Sequence, residues 1–356
     1  MLQDLTEQLA RSQSLSSEQI FFAVEQLIDE KISAEIKADF LSALSRQGET
    51  VEEISAFARA LRDKSIQPPL DAETRAQEIL DVCGTGGDHL NTFNISTTVA
   101  LLVASADVFV AKHGNRAVTS QSGSADLLEA LGLKIDLTPE AAAKNLRDHH
   151  FAFFFAPKYH PAFKHISLAR KICAQRGERT IFNLLGPLLN PAQPTAQLLG
   201  VPQRELCEPM ARVLKSLGLR RGMVVSGNVE SRESRGQAQS ARNLDEFSIL
   251  GENFIAEFYQ DRGFSISTLS PEHFSIQSAT LAGLAGGDNK MNAEITRQIL
   301  RGAERGPKRD AVLLNAAAAL FVANKTKNLN DGWELAVELI DSGKAEKKFI
   351  ELIKVH

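Results

Sequence analysis

The stretch Ile79-Leu80-Asp81-Val82-Cys83-Gly84-Thr85-Gly86-Gly87-Asp88 decides how the rest of the chain is read. A short apolar run that suits a buried strand passes directly into a loop holding Gly84, Gly86 and Gly87. A strand that ends in glycines brings backbone N–H groups close to an anion, because glycine permits close approach and left-handed backbone. Taken alone, the same residues describe an ordinary tight turn equally well.

Downstream, apolar runs at 108–111, 151–156 and 223–225 read as further strands, with helical patterns at 96–105 and 124–131 between them. Strand, loop, helix and strand in that order predict parallel βαβ units, whose ligands bind at the C-terminal strand ends. Upstream, residues 1 to about 65 read as helices. Ile20, Phe21, Val24, Leu27 and Ile28 recur at helical spacing after the capping candidates Ser16 and Ser17, with Glu18 close behind. Further helices are expected at 34–45 and 51–62, the latter opened by Glu49-Thr50-Val51-Glu52-Glu53. Pro68 and Pro69 break the pattern, so a helical domain 1–68 and an α/β domain 69–356 are expected.

The 356 residues, 43% of them hydrophobic, suffice for a sizeable core. A net charge of -4 provides no field that draws the whole protein to nucleic acid or to an anionic membrane. Cys83, Cys173 and Cys207 are scattered and lack CxxC spacing, which argues against a disulfide scaffold or structural zinc and for reduced thiols in a cytoplasmic protein. The start is polar, without a signal peptide, and no run approaches the ~20 apolar residues of a membrane helix. Residues 228–243 hold almost no large apolar side chain and read as a mobile surface loop.

Three more motifs accompany the glycine loop. Asn94-Ile95-Ser96-Thr97-Thr98 opens a helix with hydroxyls that either cap it or hold phosphate and magnesium. Lys112-His113-Gly114-Asn115-Arg116 follows the second strand. It is either a solvated charge cluster or a binding loop. Ser120-Gln121-Ser122-Gly123-Ser124-Ala125-Asp126 precedes another apolar helix and is a third capping or anion-binding start. Each is ordinary alone, but their crowding around strand ends points to one polyanionic ligand. A polyanion wants a divalent cation, and the adjacent carboxylates Asp245 and Glu246 suit magnesium.

With these residues in hand, the chain resembles the anthranilate phosphoribosyltransferase family over nearly its whole length. The resemblance rests on GTGGD, NTFNIST, AKHGNR, SGSAD with LLEALG, APKYHPAFK, RTIFNLLGPLLNPA, LDE, GGDNKMNA and RDAVLLNAAAAL. It implies a small N-terminal helical domain plus a large α/β domain with a central, mainly parallel sheet flanked by helices, akin to pyrimidine nucleoside phosphorylases. Helices near 160–195 would join the helical part, and a homodimer would form through it. The implied reaction transfers phosphoribosyl from phosphoribosyl pyrophosphate to the amine of anthranilate, releasing pyrophosphate, a tryptophan-pathway step. Gly84, Gly87, Asp88, Thr92, Asn94, Ser96, Thr97, Lys112 and Ser124 would hold phosphoribosyl pyrophosphate. Gly84, His113, Asn115, His160 and Arg170 would line the anthranilate side, with Lys112 and Arg170 as catalytic groups. Ser96, Asp245 and Glu246 would bind Mg2+, as two ions.

Two departures stand out. The chain runs about three residues long between Arg170 and Arg179, with an unfamiliar segment 173–178, and a polar insertion precedes Asp245, where Asn243 replaces the family's glycine. Arg232, Arg235 and Arg242 in that insertion are expected to close over pyrophosphate. Three competing readings share the fold or the chemistry. A pyrimidine nucleoside phosphorylase would take inorganic phosphate. A nucleic-acid-binding relative would need a basic surface that a charge of -4 does not favour. A transferase for another aromatic amine would owe its specificity to the segment after Arg170.

Overall fold

The computed structural model describes residues 1–117, 121–229, 242–260 and 263–355. The chain opens with four helices, α1 (Leu2–Ala10), α2 (Ser17–Ile28), α3 (Ala34–Gln47) and α4 (Val51–Asp63). Ser16 caps α2, and Gln19, not Glu18, returns a side-chain bond to the Ser16 N–H. Thr50 and Glu53 form the same reciprocal box at α4. The second oxygen of the buried Glu53 accepts the Leu15 N–H at 2.8 Å, so one carboxylate fastens the start of α4 to the loop before α2.

After Pro68-Pro69 and the short α5 (Ala72–Ala76), the α/β part runs β1 (Ile79–Gly84), α6 (Ile95–Ala104), β2 (Phe109–Gly114), α7 (Ser124–Leu131), α8 (Pro139–His149) and β3 (Phe151–Phe155). It continues through α9 (Ala156–Tyr159), α10 (Ser167–Gln175), α11 (Phe182–Leu185), β4 (Ala196–Gly200), α12 (Cys207–Ser216), β5 (Arg221–Asn228) and β6 (Asn243–Leu244). The hairpin β7 (Asn253–Tyr259) and β8 (Gly263–Leu269) follows, then α13 (Asn289–Leu300), α14 (Pro307–Val322), α15 (Leu329–Asp341) and α16 (Lys344–Val355). The sheet order is β3-β2-β1-β4-β5-β7-β8, with β6 also on β5. From β3 to β5 neighbours are parallel, and β6, β7 and β8 join antiparallel. The expected mainly parallel sheet is therefore present, completed by a hairpin that the strand-helix-strand reading did not foresee.

Strand side chains alternate between two apolar layers. Leu80, Val82, Leu198, Met223 and Val225 enter one core with α6 and α14. Cys83, Leu199 and Val224 enter another, which combines α1–α4 with α10–α12. Several strand ends differ from expectation. The second strand extends through Lys112, His113 and Gly114, which belong to its own end and not to a following loop. The third stops at Phe155, because Ala156-Pro157 starts a helical turn. Ser120 and residues 230–241, including Arg232 and Arg235, lie outside the described residues, whereas Arg242 is exposed. Among the described residues no helix is long and apolar enough to cross a membrane.

The chain leaves β1 toward β2 on one side, while β4 pairs on the other. The crevice of an open α/β sheet lies where the order so reverses, outside the C-terminal strand ends. Here that point falls between Gly84 and Gly200, which are register partners.

Candidate active site

A cavity of 490 Å³ opens above the ends of β1 and β2. All the site residues expected from the sequence line it: Gly84, Gly87, Asp88, Thr92, Asn94, Ser96 and Thr97 from the first two motifs, then Lys112, His113, Asn115 and Ser124 from the next two. His160 and Arg170 close one side and Asp245 and Glu246 the other.

The floor is the glycine loop. Gly86 and Gly87 both have left-handed backbone (φ 76° and 86°), as do His89 and Asn91. Such alternation turns backbone N–H groups to one concave side. The Gly86 N–H already donates to Asp245 Oδ2 at 2.7 Å, and Asp88 accepts from the Leu90 N–H at 3.1 Å. Gly84 and Gly200 permit the approach of Asp245: a Cβ on Gly84 would overlap its carboxylate, and one on Gly200 its backbone carbonyl. Gly200→Ala is accordingly expected to displace Asp245 and lower kcat/KM roughly 100-fold or more, with melting temperature reporting the smaller structural cost.

Asn94 stands at the N-cap of α6 without capping it. Its side chain instead donates to the Ser122 carbonyl at 2.9 Å and accepts from Asn292 at 2.9 Å, joining three loops. At the same helix start the Ser96 N–H donates to Glu246 Oε1 at 3.1 Å, placing a carboxylate at the positive end of α6. Lys112 is almost wholly buried, and its ammonium donates to the Val82 carbonyl at 2.7 Å and reaches Ser96 Oγ at 3.4 Å. Burial lowers its pKa, while Asp81, Cys83 and Glu246 oppose that shift. Asp81 is buried beneath it, held by Asn190 Nδ2 at 2.9 Å, and is pushed up to about 6 by desolvation.

Three carboxylates crowd this end. Burial, then the charge of Asp88, pushes the half-buried Asp245 up to about 7. Burial, then Asp245, pushes Glu246 up to about 8 despite the opposing Lys112. Groups that resist ionisation because of burial and then mutual repulsion suit a divalent cation, which offsets that cost on binding. Among the described residues no cage of three His, Cys, Asp or Glu side chains is preassembled, so ligand oxygens and water must complete the coordination of any ion held here.

The opposite wall is aromatic. His113 and His160 meet edge-on at 5.3 Å, His160 stacks on Phe163 at 5.0 Å, and Phe163 meets Phe182 at 5.7 Å. His160 Nε2 bonds the Leu189 carbonyl at 2.9 Å. Burial pulls His113 down to about 3, helped by His160, and pulls His160 down to about 4, so both imidazoles are neutral near neutral pH. His113 Nε2 is buried without a hydrogen-bond partner among the described residues. Arg170 lies over the Phe182 ring at 5.2 Å and has no carboxylate partner among the described residues. A neutral, flat-sided slot ending in one unpaired guanidinium suits a planar aromatic acid.

Sequence reasoning does not single out Phe163, Phe182, Gly200 or Asn292. The aromatics sit inside quoted motifs, and Asn292 inside GGDNKMNA, but no local spacing marks them as site residues. Only the fold brings the two aromatics to the cavity, and sets Gly200 against Asp245 and Asn292 against Asn94 behind its lining.

The site joins a polyanion cradle, a carboxylate pair and an acceptor slot on a two-part helical and α/β frame, which defines a glycosyl-group transferase. Residues 3–65 match the glycosyl transferase family helical bundle domain and residues 76–346 its a/b domain. An anthranilate phosphoribosyltransferase of Petrotoga mobilis is 42% identical over 98% of this chain and 95% of its own. The crystal structure of the anthranilate phosphoribosyltransferase of Thermus thermophilus superposes with a TM-score of 0.87 at 38% identity, covering 99% of both chains. The Saccharomyces cerevisiae enzyme, solved in complex with PRPP and Mg, gives 0.83 at 27% identity over 99% of this chain and 97% of that one. The chain belongs to the anthranilate phosphoribosyltransferase family.

Proposed function

We propose that this chain transfers the phosphoribosyl group of phosphoribosyl pyrophosphate to the amine of anthranilate, a step of tryptophan biosynthesis. The observation that carries the reading is the opposition, across one cavity, of the glycine loop and α6 start to the unpaired Arg170 in its aromatic slot.

The loop of Gly84, Gly87 and Asp88, with Thr92, Asn94, Ser96, Thr97 and Ser124, binds the phosphates and ribose. Ser96, Asp245 and Glu246 hold Mg2+, two ions in all, and the raised proton affinity of the two carboxylates is the feature that fits a cation. When bound, the metal supplies charge neutralisation for the departing pyrophosphate. Lys112 adds a buried positive charge beside Ser96. Arg170 grips the anthranilate carboxylate as a forked donor, while Asn115 and the neutral His113 and His160 orient the ring and amine.

The bond from the ribose carbon to pyrophosphate breaks, its electron pair leaving with pyrophosphate, as the amine nitrogen forms its own bond from the opposite face, and the nitrogen then gives one proton to solvent water. The amine of anthranilate is conjugated with its ring and weakly basic. It is already unprotonated, so no strong base is needed. Positioning supplies much of the rate, an effect worth up to ~7–11 kcal/mol.

The domain division at 68/69, with α10 and α11 added to the helical part, is supported by the core they share with α1–α4. A homodimer through the helical side accords with the exposed Phe21 and Phe22 of α2. The three buried, unpaired thiols accord with a cytoplasmic setting. Loss of anthranilate fluorescence on mixing protein, Mg2+, phosphoribosyl pyrophosphate and anthranilate tests the activity. A chain that splits nucleosides with inorganic phosphate and leaves anthranilate untouched is a phosphorylase instead.

A further inference from the structure

The segment in which the chain departs from its family's pattern is built into a tie between two helices. Helix α10 carries Arg170, and the helix it packs on most extensively is α3. Lys37 of α3 is only 2% exposed, yet among the described residues its ammonium makes no ion pair. It donates to the Asp29 carbonyl at the end of α2 (2.8 Å) and to the His165 carbonyl just before α10 (2.9 Å). At the other end of α10, Cys173 Sγ is directed at the Ala38 carbonyl, 3.5 Å away. Gly177 turns the chain with left-handed backbone (φ 72°). Arg176 then pairs with Asp39 at 2.8 Å, and Glu178 accepts from both Ser42 and Arg46.

A buried lysine used only on carbonyls is costly to place, and exposed ion pairs stabilise little one by one. Their shared feature is location: apart from the Lys37 bond to the Asp29 carbonyl at the end of α2, every one of these bonds runs from α3 to one end or the other of α10. Among the described residues Arg170 has no carboxylate to hold it, so its guanidinium goes where the α10 backbone puts it.

We infer that Lys37 and Glu178 are positioning residues for the acceptor side: α3, through bonds at both ends of α10, fixes the place of Arg170. This rests on the proposed assignment of Arg170 to the anthranilate carboxylate. The phosphoribosyl pyrophosphate side is built on β1, β2, α6 and α7 and receives no bond from this tie.

The test combines steady-state kinetics with hydrogen–deuterium exchange of α10 amides in the absence of substrate. Lys37→Met is expected to raise the anthranilate KM about tenfold, and Glu178→Lys about threefold, with the KM for phosphoribosyl pyrophosphate and kcat within about twofold of the parent. Adding Arg46→Glu to Glu178→Lys restores the anthranilate KM. Amides of α10 exchange faster in both single variants. The inference is overturned if the two KM values rise together, or if α10 exchanges faster with no change in either. Should Lys37→Met fail to fold, the surface variant Glu178→Lys and its charge-swapped partner decide alone. A parent protein that does not consume anthranilate defeats the functional reading. The tie itself is then judged by exchange, and unchanged α10 protection in the variants defeats it.

Discussion

Asp245→Asn is expected to reduce kcat/KM by about 10³ or more while raising the melting temperature of the metal-free protein at about pH 8. The loss follows from removing a carboxylate proposed to hold Mg2+ beside the pyrophosphate. The gain follows from what that carboxylate costs without a cation. Burial and neighbouring charge hold Asp245 at about 7 and Glu246 at about 8, both above their ordinary carboxylate values. A folded-state value above the unfolded one means the fold prefers the protonated acid. That preference contributes fully at low pH and is lost as pH rises through the folded values. At about pH 8 Asp245 is ionised at full cost, and an asparagine, which keeps an oxygen for the Gly86 N–H, avoids it. Allowing for the coupling between the carboxylates, the gain is about 2 kcal/mol, or roughly 2–4 °C. Calorimetry with a chelator at about pH 8 and about pH 5 checks this, because the difference should narrow at the lower pH. A variant less stable than the parent at both would show that the carboxylate is structural.

Arg170→Ala should raise the anthranilate KM about 100-fold and leave that of phosphoribosyl pyrophosphate within about twofold. A charge-assisted, forked bond in a partly desolvated slot is worth ~3 kcal/mol, close to two powers of ten. Arg170→Lys should recover little, since a point charge cannot replace the fork or the stacking on Phe182. Equal losses for both substrates in initial-rate measurements would remove Arg170 from the acceptor side.

The gathering of the proposed polyanion end around one cavity is legible in the sequence because its residues are local. Gly84 to Asp88 follow a strand, and Asn94 to Thr98 open a helix, so each motif carries its own geometry. The acceptor side is legible only through family resemblance. His160, Arg170 and Phe182 come from separate short helical turns whose spacing encodes nothing by itself. Strand β4 escapes a sequence reading because Pro191, Pro194 and Pro202 make its surroundings look like loop, although it pairs with both β1 and β5. Helix caps are readable to within a residue, but Ser16 takes Gln19 as partner because the third helical position, not the second, reaches back. Buried polar pairs such as Asp81 with Asn190 have no sequence signature, since each is an ordinary residue until the fold closes over it.

Asp245 and Glu246 arrive beside β6, on the antiparallel side of β5, yet bond the Gly86 N–H and the Ser96 N–H far upstream. No helix, hairpin or single βαβ unit contains both halves of that arrangement. If these carboxylates hold Mg2+ as proposed, capture of the ion is a milestone of the refolding chain as a whole: it would mark the moment when distant segments have met across β4, and a nascent chain released before Glu246 would carry the glycine loop and the α6 start with nothing to complete them.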